Sequence, residues 1–277
     1  MHSLNNYIAQ TFKAACMAEL EALKPGNVHI FADGHGMTIH DFINSAEAVS
    51  QVIAQPDLSL GQRILLSVQA THKTVGCNTN LGIILLCTPM IHAALMANNH
   101  DFYTNLAYVL HHTTVDDAQQ TFSAIALAKP AGLGDTAKHS VLEPADCNLR
   151  QAMQMAAHRD LIAAQYCNQF DAIFKVGLPL LKQSNQVNQA WLTTQLYLTL
   201  MATFADSHID RKYGAKIAAD IQLQASQHLT IFNLSANPKL YQSKLLAWDN
   251  QLKQMHINPG TSADLTVATL FAYALND

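Results

Sequence analysis

The chain has 277 residues, 49% hydrophobic and 13% charged, with a formal net charge of −4 and only eleven glycines and eight prolines. This composition supports a large buried core, argues against intrinsic disorder and disfavours a turn-rich β fold. No global basic field exists to hold nucleic acid, although a local basic pocket for a phosphorylated small molecule remains allowed.

The five cysteines (Cys16, Cys77, Cys87, Cys147, Cys167) are scattered, odd in number and without a Cys-x-x-Cys pair. A disulfide framework or cysteine zinc site is therefore not expected, and a reducing compartment fits. The first helix lacks the basic start and apolar centre of a signal peptide. The most apolar stretch, 81–97, is interrupted by Pro89 and His92 and is short for a bilayer. It is predicted to be a buried helix, and the chain to be soluble, cytoplasmic and without a membrane partner.

Apolar spacing of three and four residues recurs along the sequence. Leu4, Ile8, Phe12, Ala15 and Leu20 form one face, which ends before Lys24-Pro25-Gly26 because Pro and Gly cannot continue a helix. Thr38, three residues before Asp41, resembles a capping box and opens a helix to about 54. Ser59 starts the next, carrying Ile64, Leu65, Val68 and Ala70 before Gly76. The apolar helix from Leu81 follows. Further helices are predicted over 101–112, 114–128, 144–169, 172–182, 190–204, 211–229, 238–255 and 261–275. Thr114 with Asp117 is a second start signal, and 229–234 is the one candidate for a short extended piece. Region 129–143, with Pro130, Gly132 and Gly134, is predicted as a loop within a single domain covering 1–277. The expected fold class is all-α: one multi-helix bundle of ten or more helices.

Four places concentrate polar residues and glycines at helix ends. In Leu23-Lys24-Pro25-Gly26-Asn27-Val28-His29, Pro fixes the backbone and Gly allows close approach of a ligand, while Lys24, Asn27 and His29 supply polar groups. A plain interhelical turn explains it equally well. Gly76-Cys77-Asn78-Thr79-Asn80-Leu81-Gly82 precedes the apolar helix, whose unpaired N–H groups suit an anion; three polar groups exceed what one cap needs. Asp206-Ser207-His208-Ile209-Asp210-Arg211-Lys212-Tyr213-Gly214 sets carboxylates beside adjacent cations, suited to a metal ligand and phosphate contacts or to a solvated helix start. Asn258-Pro259-Gly260-Thr261-Ser262-Ala263-Asp264 caps the last helix and also suits a phosphate cradle. His111-His112 diverge on a helix, His35 and His40 lack metal-ligand spacing, and Arg159 in His158-Arg159-Asp160 is a further phosphate candidate. No Gly-Lys-Ser phosphate loop and no Gly-x-Gly-x-x-Gly turn is present.

Taken in order, these places resemble the triphosphoribosyl-dephospho-CoA synthase family. The matching segments are Lys24-Pro25-Gly26-Asn27-Val28, Asn78-Thr79-Asn80-Leu81-Gly82, residues 130–135, residues 206–214 and Pro259-Gly260-Thr261-Ser262-Ala263-Asp264-Leu265. The wording is more similar to the branch found in methanogens and methylotrophs than to the lyase-associated branch. The latter has His-Lys after Asn-Thr, and Asp-Thr-Asn followed by Arg-Gly-Gly. The resemblance implies an all-helical transferase of coenzyme biosynthesis that joins ATP to dephospho-CoA. Adenine leaves C1 of the ATP ribose and a ribose hydroxyl of the acceptor takes its place. A ribitol acceptor in tetrahydromethanopterin biosynthesis, with ATP or phosphoribosyl pyrophosphate as donor, is the alternative acceptor reading. A non-catalytic helical nucleotide-binding protein is the alternative of another class.

Displacement at ribose C1 passes through a cation-like sugar and needs an acidic group, a base for the incoming hydroxyl and cations for the polyphosphate. These requirements assign nucleotide and phosphate contacts to Lys24, Asn27, His29, Asn78, Thr79, Asn80, Gly82, Arg159, Arg211, Lys212 and Thr261. Asp206 and Asp264 are the expected ligands of Mg²⁺ or the base, with Asp117 and Asp116 as secondary carboxylates. A homodimer face is compatible with so apolar a chain.

Overall fold

The computed structural model describes residues 2–96, 100–130, 141–235 and 237–276, so most of the expected 129–143 loop and its glycines lie outside the described residues. Fourteen α-helices and no strand occur among the described residues, as the sequence periodicity predicts. They form two compact units, each assembled from separate stretches of chain: residues up to Ala14 with Asp41–Asp171, and Ala15–His40 with Ala172–Asn276.

The first unit takes the front of α1 (His2–Glu21) and most of α2 (Ile39–Ile53). It continues through α3 (Leu60–Val75), α4 (Leu81–Ala94), α5 (Phe102–His111), α6 (Val115–Ala128), α7 (Leu149–Ala156) and α8 (Leu161–Asn168). The start signals at Ser59 and Thr114 are both full capping boxes, closed by Gln62 and Asp117. At the expected start after Thr38, Asp33 Oδ1 accepts from Ile39 N at 2.8 Å. The span predicted as one helix over 144–169 is two, because Asp160 caps a new start, accepting from Ile162 N at 2.9 Å and Ala163 N at 3.0 Å. Helix α4 is buried along nearly its whole length. Pro89 has no N–H to give Leu85 C=O, and Tyr166 replaces it, its hydroxyl donating to that oxygen at 2.7 Å. Helices α3 and α6 cross at Gly61, where an added Cβ would lie 2.6 Å from Asp117 Cα.

The second unit holds the end of α1, the 22–38 loop and a π-helical turn (Ala172–Gly177) running into α9 (Leu178–Gln183). It continues with α10 (Gln189–Thr203), α11 (Ser207–Tyr213), α12 (Ala215–Leu234), a 3₁₀ turn (Pro238–Tyr241), α13 (Gln242–Gln254) and α14 (Gly260–Asn276). The expected 211–229 helix instead breaks at Gly214, whose φ of +86° separates α11 from α12. Residues 229–234 are helical rather than extended. The core gathers Leu23, Tyr197, Met201, Ile209, Ile221, Phe232, Trp248, Leu252 and Ile257. The π-helical turn lies against α14 so closely that an added Cβ on Gly177 would meet Thr269 Cγ2 at 2.5 Å.

Candidate functional site

Three of the four polar places meet in the second unit. Gly26 has a φ of +85°, and an added Cβ would lie 2.8 Å from Pro259 Cδ and 3.2 Å from Ile257 O, so only glycine lets the first loop settle on the turn before α14. Asn27 Nδ2 donates to Asn258 Oδ1 at 2.8 Å and completes that junction. The third and fourth places join through Asp206. Its Oδ1 caps α11, accepting from His208 N at 2.9 Å and Ile209 N at 3.2 Å; its Oδ2 accepts from Ser262 N and Ser262 Oγ, both at 2.8 Å. One buried carboxylate thus holds the N-termini of two helices together. Thr261 Oγ1 adds a contact with Ser207 Oγ at 3.0 Å and accepts from His208 N at 3.2 Å.

Lys24, expected as a phosphate contact, is fully buried. Its Nζ donates to Glu19, to Asn27 Oδ1 at 3.0 Å and to Val28 O at 2.7 Å, so its three N–H groups are spent inside the protein. Burial pushes the lysine pKa down and that of Glu19 up, against the mutual attraction of the pair. His29 is equally enclosed. Its Nδ1 accepts from Phe31 N at 3.2 Å, which puts the proton on Nε2. That nitrogen is 3.3 Å from Asp249 Oδ2 but out of line for a hydrogen bond. Burial holds the imidazole below its ordinary pKa, and it is neutral.

Asp249, on α13, is the residue that sequence reasoning missed. Its Oδ1 accepts from Gly26 N at 2.8 Å and its Oδ2 from Lys253 Nζ at 3.1 Å, while Lys253 also donates to Ala32 O at 3.1 Å. Burial alone would raise its pKa, but the nearby Nε2–H dipole of His29, Gly26 N and Lys253 outweigh that and hold the pKa below the ordinary carboxylate value. Its signal in the sequence was a carboxylate inside the buried stripe Leu245, Trp248, Asp249, Leu252. Glu19, buried on α1 beside Cys16 and Leu20, carried the same signal.

A group of cations surrounds this junction. His35 Nε2 donates to Gly26 O at 2.8 Å, and Lys212, Lys253 and His256 are all within electrostatic reach of it. His208 feels Arg211, Lys212 and His35, opposed by Asp206, and its Nδ1 would be 2.9 Å from a Cβ on Gly260. Burial keeps both imidazoles below their ordinary pKa, so they are neutral near pH 7 with room to gain a proton. Lys212 is exposed, its Nζ 5.2 Å from the Tyr213 ring centroid. Asp264, one turn into α14, is partly exposed and acts electrostatically on both Lys24 and Cys16.

The second place lies in the first unit, and there each polar group has a structural partner. Asn78 Oδ1 accepts from Leu81 N at 3.1 Å, Thr79 Oγ1 donates to Ser45 Oγ at 2.8 Å, and Asn80 Oδ1 accepts from Thr71 Oγ1 at 2.9 Å. The apparent polar surplus is thus used in packing the start of α4, with Gly82 buried in its first turn. Asp117 is similarly committed: Oδ1 accepts from Gly61 N at 2.7 Å, and Oδ2 from Thr114 N and Oγ1, both at 2.8 Å. Asp116 Oδ2 accepts from Gln120 at 2.7 Å, and Arg159 is exposed in the turn between α7 and α8.

Among the described residues no three His, Cys, Asp or Glu side chains are grouped to hold a metal ion, and no helix is long and apolar enough to cross a membrane.

The family model for ATP:dephospho-CoA triphosphoribosyl transferases matches residues 5–277 and so runs through both units. A crystal structure from Archaeoglobus fulgidus, described as a triphosphoribosyl-dephospho-CoA synthase, is similar in fold. It has a TM-score of 0.64 and 22% identity, covering 85% of this chain and 97% of that one. A search of curated proteins returned no significant match. The matched motifs, the all-helical fold and a family model spanning almost the entire chain agree: the protein belongs to the ATP:dephospho-CoA triphosphoribosyl transferase family and is a transferase of that reaction type.

Proposed function

We propose that the second unit binds the polyphosphate of ATP, and that Arg211, Lys212 and Lys253 are the groups that hold it. The observation that carries this reading is the gathering of Arg211, Lys212 and Lys253 around His35 and His208, beside the first turn of α14, in a chain whose net charge is −4. A polyanion is the ligand that relieves such crowding. Thr261 and the α14 start lie at the same junction and add the favourable end of a helix dipole.

In the reaction of the family, the bond from ribose C1 to adenine breaks and a bond from C1 to an acceptor ribose oxygen forms. The acceptor hydroxyl proton leaves, and the departing adenine gains one. The carboxylates of the second unit divide this work unequally. Glu19 is tied to Lys24, Asp249 to Gly26 and Lys253, and Asp206 already accepts four hydrogen bonds from its own chain. We therefore assign Asp206, Asp249, Lys24 and Asn27 to positioning the loop and the two helix starts. Asp264, partly exposed beside them, is the carboxylate assigned to Mg²⁺. One carboxylate suits that ion, which is ordinarily held by one or two carboxylates plus substrate phosphates. Bound there, Mg²⁺ would neutralise phosphate charge. Neutral His208, next to Gly260, is placed to accept the acceptor proton.

The acceptor supported by the family match is dephospho-CoA; no observation favours a ribitol acceptor or a non-catalytic role. The cysteines form no disulfide among the described residues, which supports a reducing, cytoplasmic setting. Calorimetry with ATP tests the site. The Arg211→Ala/Lys212→Ala double variant should bind ATP at least about ten-fold more weakly, with a shallower salt dependence, while still unfolding cooperatively. Wild-type affinity in that variant would refute the assignment.

A further inference from the structure

We propose that Ile30 and Phe31, at the tip of the loop between α1 and α2, form a stacking platform for the adenine ring of a substrate. The inference rests on the polyphosphate reading of the neighbouring cations. Ile30 is 57% and Phe31 54% exposed, although the backbone that carries them is closely held. His29 N donates to Ala32 O at 3.2 Å and Ala32 N to His29 O at 2.9 Å; Ile30 N donates to Leu20 O at 2.9 Å and Phe31 N to His29 Nδ1 at 3.2 Å. All four successive amides of the turn are thus satisfied. The imidazole beneath the tip is buried, its centroid 5.8 Å from that of Phe31.

An exposed turn is ordinarily built from small and polar residues. This one is fixed from below and presents an aliphatic and an aromatic side chain to solvent, which leaves a large apolar surface unburied. The charge beside it specifies what covers that surface. Lys253 Nζ bonds Ala32 O at 3.1 Å, and Gly34 lies so close to the same side chain that an added Cβ would be 3.1 Å from Lys253 Cε. Lys212 and Lys253 both act electrostatically on His35, so the cationic surface continues along the loop. An apolar tip next to cations matches a molecule with a flat base at one end and phosphates at the other. Aromatic rings stack on a base through its π-face, and the aliphatic neighbour excludes water from the edge. Both substrates of the family reaction, ATP and dephospho-CoA, contain adenine, so the shared chemistry is an adenine ring bearing phosphates.

The test is calorimetric titration of the full chain with ATP, with dephospho-CoA and with inorganic tripolyphosphate, which has the charge but no base. In Phe31→Ala, affinity for one of the two nucleotides should fall at least about five-fold, while tripolyphosphate affinity stays unchanged. The nucleotide that weakens identifies the adenine on the platform. Phe31→Trp should retain binding, with the new indole fluorescence quenched by that nucleotide. If the wild-type chain binds tripolyphosphate but Phe31→Ala leaves both nucleotide affinities intact, the platform is refuted and the polyphosphate site stands. If the wild-type chain does not bind tripolyphosphate, the polyphosphate reading itself fails.

Discussion

Asp206→Asn is the most informative single change, because it keeps the side-chain shape while removing half of what the carboxylate does. The native group accepts from His208 N, Ile209 N, Ser262 N and Ser262 Oγ. The amide offers one oxygen. If that oxygen stays on Ser262, the amides at the start of α11 face an NH₂ group; if it stays on α11, Ser262 does. In either pose two buried donors lose their acceptor, at about 1–3 kcal/mol each. His208 N keeps Thr261 Oγ1 at 3.2 Å, which favours the pose that serves Ser262 and sets the expected loss toward the lower end. The destabilisation is then about 2–4 kcal/mol, or a fall in Tm of roughly 5–15 °C at ~2–4 °C per kcal/mol. Ser262→Ala removes only the hydroxyl bond and should cost about 1 kcal/mol. The double variant should be less destabilised than the sum by about 1 kcal/mol, since without the Ser262 hydroxyl the amide can turn its oxygen to the start of α11. Thermal and urea unfolding of the four proteins measure the cycle. A Tm for Asp206→Asn within about 2 °C of wild type, or strict additivity with Ser262→Ala, would refute the latch.

Two further predictions concern the first loop. Gly26→Ala combines a left-handed backbone with a Cβ 2.8 Å from Pro259 Cδ and should destabilise the protein by about 2–3 kcal/mol in urea unfolding, with ATP affinity falling as well. His29, facing Asp249 and Lys253 with Lys24 nearby, has a folded pKa below its ordinary 6.5 because it is buried. The unfolded chain therefore binds more protons below that pH. The stability of the neutral imidazole is complete above 6.5 and declines as pH falls through the folded value. Urea unfolding from pH 7 to 5 should show that decline in wild type and a smaller slope in His29→Gln; equal slopes would contradict it.

The helices were legible because periodicity and caps are local. Ser59 and Thr114 announce α3 and α6 through capping boxes that need only four residues of sequence. The breaks at 157–160 and Gly214 were harder, since the apolar pattern continues across both and the decision rests on the Asp160 cap and a single positive φ. The four polar places were legible as helix ends, and three of them meet. Their roles were not, because a lysine beside Pro-Gly looks like a phosphate ligand until Glu19, five residues earlier on α1, is found paired with it. Asn78, Thr79 and Asn80 looked like more polarity than a cap requires, yet Ser45 on α2 and Thr71 on α3 account for two of them. Asp249 was missed for the same reason: its partners Gly26 and His29 are more than two hundred residues away along the chain.

Acceptor-dependent adenine release is the defining event of the family reaction. Incubated with ATP, Mg²⁺ and dephospho-CoA, the wild-type chain should release free adenine, measured by chromatography, only when dephospho-CoA is present. The Arg211→Ala/Lys212→Ala variant should do so at least about ten-fold more slowly at subsaturating ATP. Adenine release at the wild-type rate in that variant, or none from the wild-type chain, would contradict the account.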